Sequence, residues 1–248
     1  MSRVLERGDL FFFYRPRVDT ERVAGLGDVQ RFFFVLEPDG MKLFRRLVLG
    51  RKRLPDPAAH ERTWAFVAEV AARPEELRDE LERKVYATTT RGTRVQPEAR
   101  AAGEARYAIV EHDGHTHIAY ALELPRRRGV VQKALGIERV ASFIAAVRNP
   151  DSPAPPGTGL PSRERADYPK RLLDLFRGRR FASLSPPDVL NYEGAEIILI
   201  GAAEDAGREL GVDFDTRREK LESADLVRDL QLRVGKDIPA EPLKGSWA

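Results

Sequence analysis

The sequence predicts an α+β protein: a mainly antiparallel β-barrel or strongly curved sheet, with peripheral helices and a helical C-terminal region. Three observations carry this. Residues 1–150 hold a series of short β-rich runs separated by turn residues. Helical spacing of apolar residues appears only in isolated stretches, most of them after residue 163. The one strongly apolar run in the second half, Glu196-Ile-Ile-Leu-Ile200, is too lonely to form a sheet of its own.

The elements follow in order. Leu10-Phe-Phe-Phe-Tyr14 reads as a strand stopped by Pro16, and Arg31–Leu36 as a second one closed by the turn Pro38-Asp39-Gly40. Lys42–Leu49 completes a hairpin across that turn, and Trp64–Val70 is a fourth strand. Pro74 then opens a helix in which Leu77, Leu81 and Val85 recur every four residues. Residues 87–104 read as an irregular connection. Tyr107–Glu111 and Thr116–Leu124 make the clearest hairpin, around Asp113-Gly114. A short helix is expected over Val130–Leu135, stopped at Gly136, and a strand over Val140–Val147. Asp167 is read as the cap of a helix that carries Leu172, Leu173 and Phe176 and ends at Gly178. Glu196–Ile200 reads as a strand buried on both faces, and Ala202–Leu210 as a helix closed by Gly211. Thr216 and Glu219 have capping-box spacing before a last helical face of Leu221, Ala224, Val227 and Leu230.

Residues 150–162 hold five prolines and two glycines and mark the candidate boundary between a β-rich part, 1–150, and an α/β part, 163–248. The lone apolar strand is expected to join the first sheet. The expectation is therefore one integrated domain, with 150–162 as a wrapping loop.

The chain has 248 residues, 42% hydrophobic and 33% charged, and no cysteine. Disulfides, thiolate metal sites and cysteine nucleophiles are thereby excluded. No apolar run approaches the roughly 20 residues of a membrane helix, and Met1–Asp9 lacks the apolar core of a signal peptide. A soluble, cytoplasmic protein is expected. Of the 42 basic residues 34 are arginine, the better fork for phosphate. Residues 1–53 and 87–150 are net basic, whereas 54–86 and 196–248 are net acidic, so base-rich and acid-rich stretches alternate. Basic residues cluster at Arg45-Arg46, Arg51-Lys52-Arg53, Arg126-Arg127-Arg128 and Arg177 with Arg179-Arg180.

Two constellations carry chemistry. His112, His115 and His117 project from one face of the hairpin if Asp113-Gly114 is a two-residue type I′ turn. Three imidazoles there are a candidate zinc site, completed by a carboxylate or water. The second is a basic groove: Arg91 and Arg94 in the Thr88–Arg94 loop, combined with Arg15, Arg17, Arg51, Lys52 and Arg53, for a phosphate or carboxylate.

Two loops look like nucleotide sites and are set aside. Ala154-Pro-Pro-Gly-Thr-Gly159 resembles the Walker A loop of AAA-type ATPases, but Leu160 and Pro161 stand where that family needs Lys then Ser or Thr. Gly201–Gly207 lacks dinucleotide spacing, and Glu204 and Asp205 would repel a pyrophosphate. Gly8-Asp9 followed by Phe11–Tyr14 is similar, over residues 8–14, to the Gly-Asp-strand signature of PUA-like and EVE-like nucleic-acid-binding barrels. No nucleophile constellation is visible.

The leading expectation is a binding or accessory protein whose arginine-rich face contacts an anionic partner, a nucleic acid or a phosphorylated ligand. The alternatives are a metal-dependent enzyme built on the three histidines and a purely structural interaction protein.

Overall fold

β1 (Arg3–Pro16) and β2 (Val29–Pro38) pair antiparallel with Phe12 opposite Phe34 and Tyr14 opposite Phe32. The phenylalanine runs are consecutive because both faces of these strands are buried. Leu10, Phe12, Tyr14, Phe32 and Phe34 point to one core, while Phe11, Phe13 and Phe33 point to another. In this computed structural model residues 2–153, 159–216, 221 and 224–248 are described. The resemblance to the Walker loop at Ala154–Thr158 and Glu219 of the expected capping box lie outside them.

The sheet continues through β3 (Phe44–Leu49) and β4 (Arg62–Ala71) on one side of β2. On the other side of β1 lie β7 (Arg100–His112) and β8 (His115–Leu124). β9 (Val140–Arg148) pairs with β8, and β11 (Glu196–Ala203) lies between β9 and β4. The result is a closed eight-stranded antiparallel β-barrel. A short β10 (Phe181–Ser183) pairs with the last residues of β9, beyond the start of β8. The interior is solid: Leu10, Phe12, Tyr107, Tyr120, Phe143 and Leu199 interdigitate in it, as small barrels require. Near one end the lumen holds a polar set, in which Arg45 donates to both oxygens of Glu6 (2.6 and 3.0 Å) and to Asn191 Oδ1 (2.7 Å). The Tyr107 hydroxyl donates to the same Glu6 (2.7 Å).

Two further cores coat the outside. Phe11, Phe13, Phe33 and Val48 are covered by α1 (Arg78–Leu81) and by the C-terminal segment with Leu226, Leu230 and Leu243. Ala108, Val110, Ala119 and Ala121 are covered by α4 (Ala206–Leu210) and Phe214. α2 (Val130–Leu135) closes one end of the barrel with Leu54, and it stops at Gly136 in the left-handed conformation, as its glycine foretold. α3 (Lys170–Leu173) and the turns around it close the other end with Leu172, Phe176 and Leu190. Among the described residues no helix is long and apolar enough to cross a membrane.

Several expected boundaries move. The helix after Pro74 ends at Leu81, because only Leu77 and Leu81 reach a core. Val85 instead opens a projecting hairpin of β5 (Lys84–Thr88) and β6 (Gly92–Gln96), inside the stretch expected to be irregular. That stretch also hides the start of β7, where Ala101, Ala102 and Gly103 have no β-branched signature. The space there admits little more, since a methyl on Gly103 would lie 3.1 Å from Leu122. Asp167 does not cap α3, which begins after Pro169. β11 is buried on one face: Ile197 and Leu199 are inside, whereas Ile198 and Ile200 are half-buried outside. Ala202 and Ala203 belong to this strand and not to the helix that follows. The helical C-terminal region is absent among the described residues. Beyond α4 the described residues form only α5 (Asp225–Asp229), ended by Gln231 at φ 53°, and a single 3-10 turn at Pro242–Lys244. The tail is largely irregular chain that docks its apolar side chains on the barrel, down to Trp247 against Tyr14 (5.3 Å between ring centroids).

Candidate functional site

Antiparallel alternation decides where the basic clusters meet. Tyr14 faces Arg100, Phe33 faces Val48, Leu49 faces Ala65, and Leu124 faces Glu104. The ends of β1, β3 and β8 and the starts of β2, β4, β7 and β9 therefore share one rim. Arg17, the Arg51–Arg53 loop, the β5–β6 hairpin with Arg91 and Arg94, and Arg126–Arg128 all belong to this rim. The Leu54 amide donates to Leu135 O (2.9 Å), which sets the Arg51–Arg53 loop against α2 and its neighbouring arginines.

The cations on this rim differ in availability. Arg17, Arg91, Arg126, Arg127 and Lys133 are exposed and make no ion pair among the described residues. Arg51 and Arg53 share the Glu61 carboxylate (3.3 and 2.7 Å), with Lys52 between them. Arg94 pairs with Asp19 (2.5 Å), and Arg128 with Glu138. Arg15 is buried and turned away from the groove expected for it. It donates to the backbone carbonyls of Glu80 and Glu82, and burial lowers its pKa. It is a structural arginine. Val85 (63% exposed) and Tyr86 (42%) stand bare on the projecting hairpin beside Lys84.

The histidines sit at the opposite rim. Asp113 (φ 47°) and Gly114 (φ 80°) form the left-handed two-residue turn, and His112 faces His115 across it. The His112 and His117 rings meet edge to face at 6.1 Å. Ser2 Oγ lies 2.9 Å from His112 Nδ1, and His115 is exposed. His117 is 5% exposed, and its buried Nδ1 has no hydrogen-bond partner among the described residues. Burial lowers its pKa against the opposing pull of Glu209, which favours the neutral imidazole. The three rings share a face as the spacing implies. Their ligand atoms, however, do not come within 4.8 Å of one another, so the hairpin does not present a preformed three-histidine shell.

Sequence reasoning missed a buried carboxylate group on the barrel wall. Glu104, Glu123 and Asp225 place one oxygen each within 4.8 Å of the others. Glu104 accepts from the Asp225 and Leu226 amides (both 3.0 Å), which caps α5 from the sheet. Burial, reinforced by the neighbouring Asp225 and Glu123 charges, pushes its pKa up to about 8. Nearby, Arg106 donates to Asp9 (2.7 Å) and Asp39 (2.5 Å). Residues 104, 123 and 225 carry no spacing signal, because they converge only through strand pairing and the returning tail. Oxygen donors of this kind suit a hard divalent cation.

No protein-family model matches this chain, and neither a curated protein nor a solved structure does so.

Proposed function

We propose that the chain is a cytoplasmic binding protein whose basic rim docks on an anionic partner, with nucleic acid as the principal candidate. The supporting observation is the convergence of Arg17, Arg91, Arg126 and Arg127 on one rim, exposed and free of ion pairs among the described residues. Charge left unpaired beside projecting loops suits phosphate contacts, which supply most sequence-independent affinity for nucleic acid. The solid lumen argues against a ligand held inside the barrel. A chain without cysteine also fits a reducing compartment.

The test is anisotropy of labelled oligonucleotides over a salt series. Affinity should fall steeply between about 50 and 200 mM salt. The double variant Arg126→Glu/Arg127→Glu should weaken binding at least about tenfold and reduce the salt slope by about 2. Lys42→Glu, in the β2–β3 turn of the opposite rim, should change nothing. Binding that ignores salt, or that the double variant leaves intact, refutes the reading.

A further inference from the structure

Among the described residues the outer wall of the barrel is coated on most sides, but one quarter is not. Across β4, β11, β9 and β10 the outward positions fall into register: Trp64 opposite Ile198, Ile198 opposite Ala146, and Ala146 opposite Ser183. The next row is Arg62, Ile200, Ile144 and His117. Trp64, Ile144, Ile198, Ile200 and Phe181 are all half-buried, and none belongs to the three hydrophobic cores.

Trp64 and Phe181 stand on strands with two others between them, so their backbones are about 14 Å apart at the usual strand spacing. Their ring centroids are nevertheless only 5.9 Å apart, with planes at 33°. Both side chains must therefore lie down across the sheet toward each other, over Ile198 and the small Ala146. A flattened indole presents one π-face to the protein and the other outward. Flanking the pair are Arg62, two residues before Trp64, and Arg179 and Arg180, just before Phe181. All three are exposed, and their guanidinium groups make no ion pair or hydrogen bond among the described residues. The nearby carboxylate on this face, Glu196, is engaged by Arg148 and by the Leu160 amide (2.8 Å).

We propose that Trp64 and Phe181 form a stacking platform for unpaired bases of single-stranded nucleic acid, with Arg62, Arg179 and Arg180 holding the phosphates on either side. Flat aromatic faces beside free arginines are the combination that single-strand binders use, because every base has a π-face and every linkage a charge. A purely apolar protein partner would use the isoleucines but leave these three guanidinium groups without anions. The proposal rests on the reading of nucleic acid as the anionic partner and narrows it to single strands. Arg62 leads from the basic rim onto the platform.

The experiment compares oligothymidylate with an abasic oligodeoxynucleotide of equal length, which has the same charge and no bases. Affinity is read by anisotropy, and stacking by quenching of tryptophan emission. Trp247 packs edge-on against Tyr14, away from this face, and supplies a constant background. Oligothymidylate should bind about tenfold or more tighter than the abasic strand and should quench. Trp64→Leu, which keeps an apolar cover over Ile198, should bring oligothymidylate down to the abasic affinity while leaving abasic binding unchanged. Phe181→Leu should do the same in part. Equal binding of both probes, or full oligothymidylate affinity in Trp64→Leu, overturns the platform. Should Arg126→Glu/Arg127→Glu still weaken both probes in that case, the basic-rim reading stands without it. If neither probe binds, both fall. A dimer in solution that Trp64→Leu dissociates, with no difference between the probes, overturns the platform in favour of a self-association face.

Discussion

Glu104→Gln offers a direct check on the barrel wall. The carboxyl is fully buried and lies under the first turn of α5, and its pKa is raised from 4.5 to about 8. A folded state that keeps a proton the unfolded chain releases loses stability as pH rises through that window. Stability from Glu104 is thus complete below pH 4.5 and declines up to about pH 8. At about 1.4 kcal/mol per unit, the loss between pH 4.5 and 7 is about 3 kcal/mol. Glutamine has the same shape and does not titrate. Its single oxygen accepts one of the two amide bonds from Asp225 and Leu226, so losing the other costs about 1 kcal/mol at every pH. The variant should therefore be less stable than the parent by about 1 kcal/mol at or below about pH 4, close to it near pH 5, and more stable by about 2 kcal/mol at pH 7. Urea unfolding of both proteins across this range would show the two stability curves crossing. A residual slope in the variant belongs to Glu37, which burial and the Asp229 and Asp9 charges also push up to about 8. A difference between the proteins that stays constant with pH would refute the reasoning.

Two further substitutions probe parts of the fold with opposite expectations. Arg45→Met removes the cation that Glu6 faces inside the barrel, where Arg45 is 1% exposed, and should cost about 3–5 kcal/mol in urea unfolding. Adding Glu6→Gln should recover most of that loss, and a double variant no better than the single would show that the pair is not what matters. His115→Ala, at an exposed hairpin tip, should stay within about 0.5 kcal/mol of the parent, and a large loss would mean the tip is covered.

What the sequence made legible was local. The hairpin around Asp113-Gly114 is encoded by two residues that accept positive φ, and α2 by a glycine that ends it. The phenylalanine runs announced strands, and their unbroken apolar character reflects burial on both faces. What stayed hidden depends on distant chain. The first half of β7 is built from alanine and glycine because the tail and the lumen both press against it, and such residues carry no strand signature. The C-terminal segment has helical spacing, yet it is shaped by the wall it lies on, and its leucines reach the core mostly without helix. Of the candidate sites, the arginine clusters were visible as clusters. The meeting of Arg51–Arg53 and Arg126–Arg128 at one rim follows from strand direction, whereas Arg15, at the same end of β1, is withdrawn from them by its bonds to the Glu80 and Glu82 backbone carbonyls. Trp64 and Phe181, more than a hundred positions apart, had nothing in the sequence to join them.

The position of β11 bears on how the chain is made. Sequence order brings β4 and β9 to the ribosome exit long before residues 196–203, the strand that stands between them. Until those residues emerge, the nascent sheet has two open edges, each a template for pairing with another chain. The barrel is thus a late-closing one, with its final pairing made over long sequence separation, a step that is slow on entropic grounds. A fragment ending near residue 150 would carry both edges permanently, and aggregation of that fragment beside a soluble full chain is the expected signature of late closure.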